Sequence, residues 1–461
     1  MTDQTIGSDP ALTLGQISLY RAIWRWHFFA GLLVIPFMLN LAITGSLYLF
    51  KDEISDTFFA YRYVVADGST TLKPSEIIAA ATAAVPGSIA SSYKEARDGT
   101  HSAIVTVLSN AGSTLVFVNQ HDGKVLDKVA SDNEFNWVLK KIHSLDYFGT
   151  FTNRLVEIVG GFALMLVVTG IYLWWPRCRT GGVLSVRGTP SKRVFWRDTH
   201  AVTGAIAGIM IFFLAATGMP WSGYWGSKAN AWLTANNLGY PAQLWDAVPS
   251  SSKSTHHVVE QPGWIVENAP VPDSNMDMAK MGHMQAQPIG LDAAVDVAKR
   301  AGIAPGFDMA IPSDDKGVYT ASIYPDDLAK ERTIHIDQYS GKPLVDISFG
   351  QYAVFGRWIE WGINVHQGQE WGLVNQLLMS ATCLCVILMC VSAALMWWKR
   401  RPSGRMGVPP MPPKKSVYLG LWAIALIFGI AFPMTGIAIA VMILIDHIVL
   451  RLVPPLRRAF S

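Results

Sequence analysis

Apolar residues along this chain gather in long runs separated by two extended polar regions. Four runs, at about 24–50, 155–175, 201–220 and 373–398, carry very few charges. A helix rises about 1.5 Å per residue, so each run can cross a hydrocarbon layer about 30 Å thick. A fifth run, 417–452, is interrupted by Pro433, Thr435 and Gly436. It is too long for one upright span, and proline removes a helical hydrogen bond. It reads either as a kinked helix or as a hairpin turning at 433–436. The first run continues past Gly45 with no short apolar stretch and cleavage site before it, which reads as an uncleaved anchor. The expected class is an α-helical integral membrane bundle: four core transmembrane helices plus that C-terminal kinked helix or hairpin.

The polar regions, 51–154 and 221–372, each read as a small α+β unit. KPSEIIAAATAAV and LDAAVDVAKRAG have helical apolar spacing, with Pro74 near the start of the first. SAIVTVL, STLVFVN, VYTASIY and RTIHID are strand-like. Both regions contain a matching strand–turn–strand, VFVNQHDGKVLD and IHIDQYSGKPLVD, with Gly123-Lys124 and Gly341-Lys342 in the turn. Glycine supplies the positive φ that a tight hairpin needs. The match is a first sign of internal duplication.

Charge placement orients the bundle. The chain is 51% hydrophobic, 15% charged and carries a formal charge of +3. The short loop between the second and third runs holds Arg177, Arg179, Arg187, Lys192, Arg193 and Arg197, with no acid before Asp198. The loop after the fourth run holds Lys399, Arg400, Arg401, Arg405, Lys414 and Lys415. Positive residues in short loops stay inside, so both loops are expected in the cytoplasm and both polar regions outside, in the periplasm of a Gram-negative host. The basic tail, Arg451, Arg457 and Arg458, mildly favours a hairpin, which returns it inside. No basic stripe interleaved with aromatics points to nucleic acid, and no glycine-rich nucleotide fingerprint follows a strand. Four cysteines, three of them in one apolar run, predict no disulfide framework.

The repeat sharpens at the histidines. His27 precedes Thr44-Gly45 by seventeen residues, and His200 precedes Thr217-Gly218 by seventeen. Each has a glycine four positions on, Gly31 and Gly204. His143 precedes Trp174-Trp175 by thirty-one residues, as His366 precedes Trp397-Trp398. In the expected topology His27 and His200 share one membrane face, and His143 and His366 share the other. Neutral imidazole is an axial ligand of haem iron. A glycine at i+4 lies on the histidine's own helical face and leaves room for a flat porphyrin. The expectation is two six-coordinate haems, one per pair, dividing a crossing too wide for one fast tunnelling step. Lacking C-x-x-C-H, the chain would hold them by ligands and packing alone, as b-type haems.

His143 stands twelve residues before Leu155, and a continuous helix would lift it about 18 Å. Either Gly149 breaks the helix and folds it back, or the ligand sits at the interface; the interfacial site is the favoured expectation. Arg21, Arg25 and Arg197 near the inner pair, and Lys140, Lys141, Arg154 and Arg357 near the outer pair, are available for haem propionates. Their topological role as anchors is an equal alternative.

The stretches HSLDYFGTFTNRLVEIVGGFALMLVVTGIYLWWPR and HQGQEWGLVNQLLMSATCLCVILMCVSAALMWWKRRP, with WRWHFFAG…ITG and WRDTHAVTG…ATG, resemble the PepSY-associated transmembrane family from about residue 20 to 450. The polar units resemble its PepSY-type domains. One departure is Cys383 and Cys385, where the counterpart helix has Gly160 and a nearby apolar residue. The resemblance implies a multi-pass protein of the bacterial inner membrane with two periplasmic α+β PepSY-like units. It implies two haem b ligated by His27, His143, His200 and His366. It also implies reduction of a ferric siderophore, as in ferrioxamine reductase, with electrons drawn from quinol or a cytoplasmic reductase. The alternatives are a non-catalytic PepSY-type binding or regulatory module, and an electron carrier for another periplasmic reductase or for copper. The copper option draws on NMDMAKMGHMQAQ, where Met276, Met278, Met281, His283 and Met284 offer the soft ligands copper(I) prefers.

Overall fold

A computed structural model of the chain describes residues 14–176, 182–246, 248–259, 262–274, 287–413, 416–446 and 452–453. The chain divides into two compact units. One comprises Met1–Ser46, Lys141–Ser227 and Leu378–Ser461; the other comprises Leu47–Lys140 and Lys228–Leu377.

The first unit is helical. Its long helices are Leu14–Tyr48, Thr150–Trp174, Arg193–Gly218 and Leu373–Arg400. All four are long and apolar enough to cross a membrane. Ala42, Ala207, Ile211, Cys383, Val386 and Cys390 form one core among the first, third and fourth helices. Ala22, Trp26, Val159, Phe162, Ile439 and Ile443 form another, which joins the first two helices to the C-terminal run. The described cysteines, Cys383, Cys385 and Cys390, are free thiols.

The fifth run is a hairpin. Its arms, Val417–Ala431 and Pro433–Leu444, have 15 and 12 residues and break at Phe432. Such arms rise only about 22 and 18 Å, short of a full crossing and typical of a re-entrant segment. Buried Arg25 shows where both ends lie. Its guanidinium donates to both carboxylate oxygens of Asp446, just past the second arm, and to the carbonyl of Pro409, ahead of the first. The run thus returns to the side it left. The arms touch through bare backbone, since a Cβ on Gly436 would stand 2.2 Å from Gly429 Cα. Gly161 likewise admits Thr435 of the hairpin, whose hydroxyl donates to Glu157 O at 3.2 Å.

The second unit joins the two expected α+β regions through one sheet. Its strands are β1 Ile89–Lys94, β2 Ala103–Ser109, β3 Gly112–Val118, β4 Val125–Ala130, β5 Ser250–Ser254, β6 Pro270–Pro272, β7 Asp308–Ala310, β8 Val318–Ile323, β9 Arg332–Asp337 and β10 Pro343–Ser348. Among the described residues eight of these form one sheet in the order β10-β9-β8-β7-β1-β2-β3-β4. The two halves meet at β1 and β7, antiparallel, with Tyr93 opposite Met309. Helices Pro74–Ala84 and Leu291–Arg300 bury Ile77, Ala81, Ala294, Val295 and Ala298 in one shared core against the sheet. An unpaired edge strand exposes a row of backbone groups, and joining the halves removes one edge from each.

The two predicted hairpins share a hydrogen-bond frame. Asn119 N–H donates to Lys124 O and Gly123 N–H to Asn119 O; Asp337 N–H donates to Lys342 O and Gly341 N–H to Asp337 O. Gly123 and Gly341 have φ of +73° and +67°, as the turn demands.

Candidate functional site

Within the helical unit a cavity of about 450 Å³ lies among the four long helices, a volume typical of small-molecule sites. Its walls are apolar, including Leu32, Ile35, Met38, Leu166, Ile211 and Val386. One end is basic and aromatic, bordered by Arg193, Arg197 and Arg400 with Trp24, Trp174 and Trp397. These residues stand at the start of the first and third helices and the end of the second and fourth. The helices therefore alternate in direction, and both basic loops emerge at the same end.

His27 and His200 face each other across this cavity. Their ring centres are 6.4 Å apart, with the planes at 88°. Two imidazoles gripping one metal through bonds of about 2 Å, with about 1 Å more from nitrogen to ring centre on each side, would stand roughly 6 Å apart. The other ring nitrogens are tethered. His27 Nδ1 lies 2.9 Å from Thr169 Oγ1, and His200 Nδ1 lies 3.1 Å from Met389 O. A carbonyl can only accept, so His200 carries its proton on Nδ1 and keeps the Nε2 lone pair free. That is how an outer-shell acceptor prepares a histidine for metal.

Gly31 and Gly204 both border the cavity. A Cβ on Gly204 would meet Met389 Cε at 3.2 Å. A Cβ on Gly31 would meet nothing nearer than Leu166 at 3.9 Å. Helix packing therefore leaves Gly31 unexplained, whereas a flat occupant of the cavity would explain it.

The proposed propionate partners resolve differently. Arg25 is committed to Asp446, so it is withdrawn as a cavity cation. Arg197 borders the cavity but also pairs with buried Asp198, together with Arg187. Arg193 and Arg400, which the sequence marked only as topological charges, also border the cavity. Arg400 is held over Trp24 and Phe28, 5.2 and 5.1 Å from the ring centres. Arg193 has no ion-pair partner among the described residues.

The helix that carries His143 breaks before the second long helix, as the fold-back alternative expects. His143 is the last residue of helix Phe135–His143; Leu145 is left-handed at φ 57°, and Gly149 at φ +103° precedes the next helix. Asn153 and Thr152 on that helix hold the turn through the carbonyls of Ser144 and Leu145. The imidazole is thereby laid beside the first helix, its Nδ1 2.9 Å from Thr44 Oγ1. His366, in the other unit, likewise ends a helix, Val354–His366, and Gly372 at φ +56° precedes the long helix that follows.

Met276, Met278, Met281, His283 and Met284 lie outside the described residues, as do Cys178 and His447. His256 and His257 are exposed, with ring centres 4.0 Å apart. His335 is wholly buried in β9, its Nδ1 2.9 Å from Thr320 Oγ1.

The sheet-bearing unit also buries acids that have no ion-pair partner among the described residues. Glu331 and Glu360 are 2% and 0% exposed and flank Gly263. They accept from the hydroxyls of Tyr352 and Tyr324 at 2.8 and 3.1 Å, and Glu331 Oε2 has no partner. Burial raises both carboxyls, and the neighbouring Glu360 raises Glu331 further. Glu267 is pushed up to about 7 by burial and by Glu360. Acids whose folded values are raised hold more protons folded than unfolded. Stability is then full below the ordinary glutamate value and falls as pH rises through neutrality. The apparent melting temperature is expected to be lower at pH 8 than at pH 5, and Glu331→Gln should flatten that slope. An unchanged slope in the variant would exclude this pair as the cause.

No match to this sequence is found among curated proteins. The family model for the PepSY-associated TM region matches residues 24–400, most of the chain and all four long helices with the sheet between them. With its four apolar helices the chain is a multi-pass membrane protein, and it belongs to the PepSY-associated TM region family.

Proposed function

We propose that this protein is a transmembrane di-haem oxidoreductase of the bacterial inner membrane, passing electrons to a periplasmic acceptor. The observation that carries this reading is the facing pair His27 and His200, 6.4 Å apart on an apolar cavity. In this reading those two imidazoles would hold the iron of one b-type haem. Arg193 and Arg400 would receive its carboxylates at the basic end of the cavity, and the aliphatic walls would exclude water. The haem, when bound, supplies reversible one-electron exchange at a potential set by its ligands and their partners. The second pair, His143 and His366, rests on the repeat offsets in sequence, since the two residues belong to different units.

The basic end, with the loops that emerge there, supports a cytoplasmic placement for the His27–His200 pair. Electrons enter from quinol or a separate reductase, because the chain has no recognisable nucleotide fingerprint. The favoured acceptor is a ferric siderophore, by family resemblance. One electron converts its ferric ion to ferrous, which holds hard oxygen ligands less tightly and is released.

Detergent-purified protein is expected to show a Soret band and about two haems per chain. After anaerobic reduction and removal of excess reductant, the haem bands should reoxidise on adding a ferric hydroxamate but not its gallium analogue. Colourless protein from haem-replete cells would leave a non-catalytic binding module. Coloured protein reoxidised by copper(II) and not by ferric chelates would replace the acceptor and keep the conduit.

A further inference from the structure

Two Thr-Gly pairs, of which only Thr44-Gly45 belongs to the sequence repeat, have a use in the helical unit. Thr169-Gly170 on the second helix faces His27 of the first, and Thr44-Gly45 on the first helix faces His143. Each hydroxyl oxygen is 2.9 Å from the facing Nδ1. A threonine has one hydroxyl proton, and here both are already given along the helix. Thr169 donates to Met165 O at 2.7 Å and Thr44 to Asn40 O at 2.6 Å. The hydroxyl can then only accept from the ring, so the imidazole must donate from Nδ1. The glycine beside each threonine lets the ring come close. A Cβ on Gly170 would stand 3.3 Å from His27 Cε1, and one on Gly45 would stand 3.3 Å from His143 Cε1. His200 is held differently, with Met389 O as its nearer Nδ1 partner and Ser392 Oγ at 3.3 Å.

We infer that Thr169 and Thr44 are positioning residues that hold His27 and His143 as Nδ1–H tautomers and set the electron affinity of the iron each ring ligates. The inference rests on the haem reading above. Donation from Nδ1 makes an imidazole a stronger ligand, and a stronger donor favours ferric iron over ferrous. Removing the acceptor therefore raises the midpoint potential of that haem alone. Because the two hydroxyls serve different histidines, the two haems respond to different substitutions.

The test is a spectroscopic redox titration of purified Thr169→Val, Thr169→Ser and Thr44→Val proteins. Thr169→Val should move one of two redox waves to higher potential. A tenfold weakening of ferric relative to ferrous ligation corresponds to about 59 mV for one electron. Thr169→Ser, which keeps the hydroxyl, should restore the original wave, and Thr44→Val should move the other. Loss of one haem in Thr169→Val with retention in Thr169→Ser would also support the hydroxyl's role. Unchanged waves in both valine variants, equal shifts in the valine and serine variants, or one wave moved by both Thr169→Val and Thr44→Val would overturn it. Unsubstituted protein that binds no haem would defeat the haem reading itself, before any variant is compared.

Discussion

Detergent-purified His200→Ala protein is expected to carry one haem per chain where the unsubstituted protein carries two, and to lose electron transfer to external acceptors. The lining of the cavity decides this outcome. Its walls are largely aliphatic and offer no second imidazole to replace the one removed. Loss of an outer-shell partner alone costs about 10–100-fold in metal affinity, and loss of a ligand removes more than that. His27→Ala should give the same half-loading, because either substitution leaves the other ring facing an empty side. His335→Ala is the control. That residue is also wholly buried with Nδ1 on a threonine hydroxyl, but it lies in the sheet. It should lower stability and leave haem content at two. Full loading in His200→Ala with normal turnover would remove the inner pair from the pathway.

Replacing Asp446 with Ala should destabilise the helical unit by about 3–5 kcal/mol, because it strands a buried guanidinium. Arg25 and Asp446 are 5% and 3% exposed, so neither charge has water to fall back on. The remaining acceptor for Arg25 among the described residues is the carbonyl of Pro409, which neutralises no charge. The hairpin packs its Ile439 and Ile443 against Ala22 and Trp26 through this corner. Its loosening should appear as new protease cleavage near 409–446 and as a lower apparent melting temperature. Arg25→Met combined with Asp446→Leu should recover much of the loss, since paired removal leaves no orphan charge. If Asp446→Ala melts and resists protease like the unsubstituted protein, the hairpin is held by its apolar face alone.

Legibility in the sequence varied with the range of the interaction involved. The helices Pro74–Ala84 and Leu291–Arg300 and the hairpins at Gly123 and Gly341 were readable because local periodicity and turn chemistry specify them. Strands β1 and β7 were not predicted. IASSYK lacks a clear alternation and DMA has three residues, so neither signals a strand alone. They become strands by pairing with the strand-like β2 and β8 that follow them and with each other, a pairing between distant parts of the chain. At the site, His27, His200 and the two bordering glycines could be singled out from matching offsets. Their hydroxyl and carbonyl partners could not, because Thr169 and Met389 sit on other helices and carry no mark that distinguishes them.

By itself the sequence determined where the long apolar helices run, which end of the bundle is basic, and that histidines recur at repeated offsets. Those are properties of order along the chain, set by hydropathy and charge. Only the tertiary structure decided that the polar regions share one sheet and that the last run turns back. It also decided that Arg25 answers Asp446 and that His27 meets His200 with Nδ1 already occupied. Most of these are matches between surfaces well separated along the chain, and the energy that selects them comes from burial and hydrogen-bond satisfaction, which exist only once the chain has packed.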